Sequence, residues 1–487
     1  MNARRPSLVF DRRRAGVLLH PTSLPDATHG ALGQAARSFV DWLVAGGFSV
    51  WQLLPLGPVG PDRSPYFARS NHAGDPGLVD LETLAAHGLI EPASLATAQR
   101  TELLAAAGRR LRMVGGADRD AFEHFLAQET HWLGDYALFT AIQAQQQDRP
   151  WWDWPEPLRR RAPAALDRAR QELAAPVADI EACQFFFHWQ WHALRDYAAS
   201  KGVRLFGDLP IYLAPDSVEV WAHTELFQLD DGGRPTAVAG VPPDYFSDDG
   251  QLWGNPLYRW QAHERTAFAW WLERLRAQFD LFDLVRIDHF RGLEGYWAVP
   301  AGAPTAAVGE WCKAPGEALL ARARDTFGSL EVVAEDLGVI TPEVEQLRDR
   351  FALPGMRVCQ FGFDGEQRNV HVLHNWIARS VGYTGTHDND TTAGWFAELD
   401  PRAQRLVTDY VGAQRADIVP ALLRSVLASV AVLAIAPMQD LLGLGTAARM
   451  NLPGSTEGNW GWRFRWPDVP AGLAAQCRHW NELYGRA

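Results

Sequence analysis

Eight short apolar segments, distributed along the whole chain, are the feature that most constrains how this sequence can fold. Helical stretches separate most of them. Continuous apolar runs are typical of strands buried on both faces, as in parallel sheets. Eight strands that alternate with helices predict an α/β fold, the TIM (β/α)8 barrel. The predicted strands are residues 16–20, 48–55, 203–210, 282–289, 331–338, 357–361, 383–390 and 430–437.

The distances between these segments indicate where the barrel carries insertions. About 150 residues separate the second and third predicted strands, whereas a βα crossover needs only about a dozen. We therefore predict a single catalytic barrel over residues 1–487, with a largely helical subdomain inserted at 56–183. A second insertion, a lid-like loop subdomain at 211–260, follows the third strand. Within it, residues 235–256 are rich in Pro, Gly and Asp and carry Tyr245, Phe246 and Trp253, which is typical of a loop over a site.

Charged residues collect at the ends of the predicted strands. In the segment LVRIDHFRG, residues 284–292, a buried strand leads directly into an arginine, an aspartate and a histidine. A structural ion pair would explain one such end. Four strand ends with carboxylates are harder to explain in that way, because clustered carboxylates repel one another and raise one another's pKa. In a barrel they would share the C-terminal rim, where active sites lie. These carboxylates belong to Asp208, Asp288, Glu335 and Asp388.

Retaining cleavage of a glycosidic bond requires this kind of cluster. One carboxylate attacks the anomeric carbon, while a carboxylic acid about 5–5.5 Å away protonates the leaving oxygen. Negative charge nearby would help the acid to keep its proton. Arg286 precedes Asp288 by two residues and so lies on the same face of the strand, where it can orient that carboxylate and keep it ionised.

The motifs RIDHFRG, AEDLG and GTHDND, in this order, resemble conserved segments of the α-amylase clan of glycoside hydrolases. The sequence is more similar still to the 4-α-glucanotransferases, called amylomaltases in bacteria and disproportionating enzymes in plants. Further similar segments cover nearly the whole chain, among them GVLLHPTSLP, SPYF, GVPPDYFSDDGQLWGNPLYRW and GNWGWR. The resemblance implies transfer of an α-1,4-glucan segment from a donor maltooligosaccharide to the 4-hydroxyl of an acceptor glucose or glucan. It implies retaining double displacement and no cofactor or metal.

The resemblance also implies roles for individual residues. Asp288 would be the nucleophile that forms a covalent glucosyl-enzyme, and Glu335 would be the general acid/base. Asp388 would be a third carboxylate that contacts sugar hydroxyls and stabilises the distorted ring. The substrate-binding residues would be Arg286, His387, Asp208, Ser64, Tyr66, Trp253, His289, Asp336 and Asn459.

Two of these residues have simpler explanations. His289 follows the nucleophile and could be a satisfied histidine behind the site. Asp336 follows the acid/base and could cap the start of a helix, since aspartate suits that position.

Composition excludes several classes of partner. A net charge of −12 argues against nucleic-acid binding, because neutralising phosphates requires a basic face. The uncharged, largely apolar run at residues 425–438 is too short to cross a bilayer. The first residues carry no apolar segment typical of a signal peptide, and the four cysteines show no CxxC spacing. We therefore expect a cytoplasmic protein without a membrane partner, a disulfide framework or a zinc site.

Three alternative functions stay open at this level. An α-glucan hydrolase of the amylase clan would use the same carboxylates, and sequence alone does not set the ratio of transfer to hydrolysis. A metal-dependent TIM-barrel hydrolase would also place His and Asp at strand ends, although the first strand carries no His-x-His pair. A non-catalytic glucan-binding protein would be favoured by loss of one of the three catalytic carboxylates, and all three are present.

Overall fold

Eight parallel strands form a barrel in this computed structural model, in which residues 10–25, 27–243, 249–455 and 457–487 are described. The barrel order is β1, β2, β3, β6, β9, β10, β11 and β12, whose residue ranges are given below. Where β9 lies beside β10, Ala334 N–H donates to Pro354 O (2.9 Å) and connects the two strands. The predicted TIM barrel is confirmed. In chain order the strands are β1 Arg14–Leu18, β2 Val50–Gln52, β3 Arg204–Leu209, β4 Ala237–Val241, β5 Gln251–Pro256, β6 Leu284–Ile287, β7 Gly295–Pro300, β8 Glu310–Lys313, β9 Val332–Ala334, β10 Gly355–Val358, β11 Ser380–Tyr383 and β12 Leu433–Pro437.

Most of the barrel strands end earlier than the sequence predicts. The segment 383–390 was predicted as a strand, but β11 ends at Tyr383 and the polar residues after it form a loop. The hydroxyl groups of Thr384 and Thr392 both donate to the buried carboxylate of Asp440 (2.6 and 2.7 Å), at the two ends of this loop. Side-chain bonds of this kind replace the strand ladder and fix the loop above the barrel.

Apolar side chains fill the barrel interior. Because both faces of each strand are covered, the strands read as continuous buried runs, and β1, β6, β10, β11 and β12 are buried along their whole length. One compact cluster lies inside the barrel, and a larger one lies between the barrel and its helices. The inner cluster includes Leu18, Val50, Phe206, Leu284, Val333, Met356, Val358, Val381, Leu433 and Ile435.

Helices surround the barrel and occupy much of the chain between β2 and β3. In α1 the buried residues Phe39, Val40 and Leu43 face the core, and Gly47, with φ of 70°, follows the helix end. In chain order the helices are α1 Gln34–Ala45, α2 Leu81–Ala86, α3 Arg100–Met113, α4 Ala117–Gln128, α5 Leu133–Gln145, α6 Glu156–Arg159, α7 Pro163–Glu172, α8 Ala174–Ser200, α9 Val218–Ala222, α10 Trp260–Arg265, α11 Ala269–Leu281, α12 Gly316–Phe327, α13 Pro342–Arg350, α14 Thr392–Glu398, α15 Pro401–Val411, α16 Ile418–Ala428, α17 Met438–Leu441 and α18 Leu473–Leu483.

A second, antiparallel sheet lies beside the barrel, with the strand order β5, β4, β7, β8. The sequence predicts an irregular loop over 235–256, whereas β4 and β5 fall within this segment. Their glycines and prolines obscure the strand pattern, and their register contains an irregularity between Val238 and Gly240. Tyr245 and Phe246, also predicted to belong to the loop, lie outside the described residues.

The membrane criterion can be applied to the helices directly. Among the described residues, none of the helices has both the length and the apolar character needed to cross a bilayer.

Candidate active site

Arg286 joins two of the predicted carboxylates at the C-terminal rim of the barrel. It leaves the end of β6, and its guanidinium binds both oxygens of Asp208 at the end of β3 (Nε–Oδ1 2.9 Å, Nη2–Oδ2 2.7 Å). The same Nη2 donates to Asp288 Oδ1 over 2.9 Å. Asp208 is fully buried, whereas the side chain of Asp288 keeps 31% of its surface exposed. Asp288 is therefore the carboxylate of the two that a ligand can reach.

Tyr66 completes this ion-pair cluster from the segment between β2 and β3. The short 3-10 turn Pro65–Phe67, which follows Ser64, presents its ring. Its hydroxyl donates to Asp208 Oδ2 (2.6 Å) and accepts a bond from Arg286 (3.1 Å). Burial raises the pKa of Tyr66 well above its usual range, so the phenol stays neutral and available as a donor.

Glu335 follows β9 and is held by two backbone amides. His289 N–H donates to Oε2 (2.6 Å), and Leu337 N–H donates to Oε1 (3.0 Å). Burial raises the pKa of Glu335 to about 8, and the nearby Asp288 carboxylate adds to this shift. Glu335 therefore retains its proton at neutral pH in the absence of a ligand.

Asp288 has a different electrostatic environment. Burial raises its pKa as well, but the guanidinium of Arg286 opposes this shift. Its partial exposure and its hydrogen bond to Arg286 favour the ionised form. Because Glu335 has no bond to an arginine among the described residues, the proton of the pair lies on Glu335. The site thus combines an ionised carboxylate with a neighbouring carboxylic acid.

His289 contacts both the second sheet, through its ring, and Glu335, through its backbone N–H. Its backbone is left-handed, with φ of 49°, and this conformation directs its N–H towards Glu335. Burial lowers the pKa of its imidazole to about 3, so the ring is neutral. Trp253 of β5 meets that ring edge to face, with centroids 4.7 Å apart. The indole predicted to contact substrate therefore lies directly against the residue that positions Glu335.

Asp388 and His387 lie on the loop after β11. His387 Nε2 is 3.3 Å from Asp388 Oδ2, and burial lowers the pKa of His387, so the ring is neutral at neutral pH. Its ring stacks on Tyr66, with centroids 5.1 Å apart. Asn451 Nδ2 donates to Asp388 Oδ1 (2.6 Å), and Arg449 donates to the backbone carbonyl of Asp388 (2.6 Å). Asp388 still exposes 44% of its side chain.

Asp336 does not lie with the exposed carboxylates. Its side chain is 2% exposed and accepts bonds from Arg348 (2.5 Å) and from the backbone amide of Met356 (2.6 Å); Arg357 lies 3.5 Å away. This geometry is at odds with the substrate contact that the resemblance implies. It is also at odds with a helix cap. A buried aspartate must find buried partners, and the pairing joins the loop after β9 to α13 and β10.

The side chain of Asn459 stabilises a loop near the site through hydrogen bonds to its backbone. Its side chain exchanges bonds with the backbone of Leu452 and donates to Ser455 O (2.8 Å). This loop carries Asn451 and leads to Trp460, whose ring lies 5.9 Å from Tyr66 and 6.0 Å from His387.

Asn451 and Trp460 were not predicted individually from the sequence. The signal for Trp460 is a tryptophan in the glycine-containing polar segment GNWGW. Asn451 gave no signal beyond its place in the segment ARMNLPG. Within the described ranges, no group of three or more His, Cys, Asp or Glu side chains is arranged to hold a metal ion.

Comparison with known proteins identifies the family. Residues 19–468 match the family model described as 4-alpha-glucanotransferase. The chain is 48% identical to the 4-alpha-glucanotransferase of Thermus thermophilus, over 93% of this chain and 94% of the relative. It is 44% identical to that of Synechocystis sp., over 98% and 99%. The structure of the amylomaltase from Streptococcus agalactiae in complex with acarbose superposes with a TM-score of 0.95 at 36% identity, covering 98% of this chain and 100% of that one. The chain belongs to the 4-α-glucanotransferase family.

Proposed function

We propose that this protein transfers a segment of an α-1,4-glucan to the 4-hydroxyl of a second sugar by a retaining double displacement. The observation that carries the proposal is the difference between two neighbouring carboxylates. Asp288 pairs with Arg286 and keeps 31% of its side chain exposed, whereas burial and the nearby Asp288 carboxylate raise the pKa of Glu335 to about 8. A nucleophile and an acid are the two groups that retaining transfer needs.

In the first step, Asp288 attacks the anomeric carbon of the donor sugar. As the bond to that carbon forms, the glycosidic C–O bond breaks, and Glu335 gives its proton to the departing oxygen. The shorter glucan leaves with a free 4-hydroxyl, and the other segment stays bound to Asp288 as an ester. Asp208 keeps Arg286 in place throughout, because it holds the guanidinium through two bonds.

In the second step, Glu335 acts as a base. Its carboxylate takes the proton from the 4-hydroxyl of the acceptor, and the resulting oxygen attacks the anomeric carbon and releases Asp288. The N–H groups of His289 and Leu337 support this step, since both bonds stabilise the ionised form of Glu335. After transfer, both carboxyl groups have returned to their starting states.

The surrounding groups bind sugar in this proposal. Asp388 and His387 would hold hydroxyls of the reacting ring, since 44% of the Asp388 side chain is exposed. Trp253 would stack on a sugar ring beside His289. Ser64 would bind a hydroxyl next to the Tyr66 turn. Acarbose, which the Streptococcus agalactiae amylomaltase binds, would compete with glucan at this site.

Maltotriose distinguishes transfer from hydrolysis. Purified protein incubated with maltotriose should yield glucose and a ladder of longer maltooligosaccharides, with little net gain in reducing ends. Chromatography of the products, together with a reducing-end assay, reads both quantities. If reducing ends rise steadily and no product exceeds the starting length, water is the acceptor and the proposed transferase is a hydrolase. If nothing is consumed, the protein neither transfers nor hydrolyses maltotriose, and the proposed function is wrong.

A further inference from the structure

The second sheet has a face that the proposed mechanism does not use. Directly opposed residues of antiparallel strands lie on the same side of a sheet, and successive residues alternate. Trp253 of β5 faces His289, so its neighbour Leu252 belongs to the opposite face. Leu252 is opposed to Gly240, Gly240 to Trp297, and Trp297 to Trp311. These four residues form a row across all four strands, and Ala306 packs over its middle, beside Gly240 and Trp297.

Both ends of this row are exposed and apolar. Trp311 exposes 45% of its surface and Leu252 exposes 43%. Val308, on the loop before β8, and Val339, after the acid/base, are exposed as well, at 69% and 56%. Tryptophan is usually mostly buried, and an exposed apolar patch on a protein often marks a binding surface.

The two indoles are held rigidly although one of them is exposed. Trp297 and Trp311 meet edge to face, with centroids 5.3 Å apart. Trp297 Nε1 donates to Ala306 O (2.9 Å), which fixes the first ring. The guanidinium of Arg291 lies 3.9 Å from the centroid of Trp311 and supports its ring from one side. Because this support costs no rearrangement on binding, the indole is preorganised to receive a flat apolar ligand.

Polar groups surround the row. Lys313 lies two residues beyond Trp311 on the same face of β8, and its side chain is 75% exposed, although it pairs with Glu294. Its ammonium can also donate to a hydroxyl. A tryptophan face beside hydrogen-bond donors suits a sugar ring, which has apolar C–H faces and hydroxyls at its edge. Such a ligand is uncharged, so the net charge of −12 does not oppose it.

Arg291 links the row to the segments that carry the active-site carboxylates. Arg291 follows the nucleophile by three residues and donates from Nη1 to the carbonyl of Val339, four residues after Glu335. One face of the sheet therefore carries Trp253 at the site, and the other carries the exposed row. A polymer long enough to cross the edge of the sheet can contact both.

We propose that the outer row, Leu252, Trp297 and Trp311, is a glucan-binding platform that holds a distant part of a long α-1,4-glucan. This inference rests on the proposed function and adds a second contact for the same class of substrate. Short substrates such as maltotriose would not reach from the site to the platform, whereas amylose would. The platform therefore sets a preference for long glucans.

Native electrophoresis in gels cast with starch tests the platform. The Asp288→Asn protein, which should leave the starch intact, is the parent. Adding Trp311→Ala should weaken its retardation by starch about fivefold, the scale of one aromatic contact. Trp311→Phe keeps an aromatic ring against Arg291 and should weaken the retardation less than Trp311→Ala does. Leu252→Gln touches the other end of the row and should also weaken retardation. Leu406→Ala is the matched control, because Leu406 is equally exposed (43%) on α15, away from the row.

Kinetics of the active protein provide a second measurement. Trp311→Ala should raise the ratio of KM for amylose to KM for maltotriose about fivefold, while Leu406→Ala leaves the ratio unchanged. Equal retardation of the Trp311, Leu252 and Leu406 variants, with unchanged ratios, would overturn the platform. Sedimentation could also overturn it. If the unsubstituted protein were a dimer and Trp311→Ala a monomer, while retardation by starch stayed the same, the row would bind a second copy of the chain and not glucan. Absence of a maltotriose ladder from the unsubstituted protein would instead refute the proposed function, and retardation could still be measured.

Discussion

The backbone N–H of His289 donates to Glu335 Oε2 over 2.6 Å, from a residue with φ of 49°. Residues other than glycine seldom adopt this left-handed conformation, although Asn, Asp and His do so more often than the rest, and it is retained here next to Asp288. The proposed nucleophile and the group that positions the acid are thus adjacent in sequence. A shift of this short segment would move both at once.

Two substitutions at His289 separate the role of its backbone from that of its ring. His289→Asn and His289→Val both remove the imidazole that meets Trp253. Asparagine tolerates a positive φ, whereas a β-branched residue strongly resists it. We expect His289→Val to lose about tenfold more kcat than His289→Asn, because its N–H no longer meets Glu335. Steady-state kinetics on maltotriose measure the difference, and equal losses in the two variants would show that only the ring matters.

The pH dependence of kcat/KM should be bell-shaped. Glu335 must be protonated in the first step, and its pKa is raised to about 8 by burial and by Asp288. Activity should therefore fall as the pH rises through about 8. Asp288 must be ionised, so activity should also fall on the acidic side as that carboxylate gains a proton. Rates measured between pH 4 and pH 10 in buffers of constant ionic strength would show both limbs.

Glu335→Gln is the matched test of the basic limb. The amide keeps the shape of the side chain but has no proton to donate. With a donor that carries a good leaving group, such as an activated glucosyl fluoride, the first step no longer needs an acid. We expect the variant to react with this donor and to show no basic limb. An equal loss of rate on activated and natural donors would assign the acid to a different residue.

Asp288 and Asp208 bind the same arginine, yet their loss should have different consequences. Asp288→Ala removes a partly exposed carboxylate, and Arg286 keeps both bonds to Asp208. We expect transfer to be abolished and the thermal midpoint to stay nearly unchanged. Asp208→Ala leaves a buried guanidinium without its main partner, which costs about 3 kcal/mol or more. Calorimetry and activity assays of both variants test this prediction. A lower thermal midpoint for Asp288→Ala than for Asp208→Ala would contradict the assignment.

The barrel could be predicted because its strands are short and apolar and alternate for the most part with helical segments. The position of Asp208, Asp288, Glu335 and Asp388 at one rim then followed from topology, since parallel strands bring their carboxyl ends to one edge. Local pattern was sufficient for both inferences. Exact strand ends were not predictable in this way, because the Thr384 and Thr392 bonds to Asp440 join residues far apart in sequence.

Other features depend on contacts that a single sequence does not reveal. The second sheet pairs β4 with β7 across about 60 residues, and its glycines hide the alternation that marks a strand. Asn451 meets Asp388 only because two loops fold together. Asp336 is an acidic residue like Glu335 beside it, but its side chain lies next to Arg348 and Arg357, and their distance from it along the sequence conceals this contact.

Trp253 should influence both substrate binding and the acid. Its indole touches His289 and lies near Tyr212, its Nε1 donates to Gln251, and its partly exposed surface can stack on a sugar. Stacking contributes on the order of 1 kcal/mol, so Trp253→Ala should weaken use of donor or acceptor about tenfold or less without erasing chemistry. Because the edge contact also steadies His289, part of the loss should appear in kcat. Trp253→Phe restores an aromatic edge and should recover most of kcat. If Trp253→Ala changed KM alone and Trp253→Phe behaved identically to it, the indole would bind sugar without steadying His289.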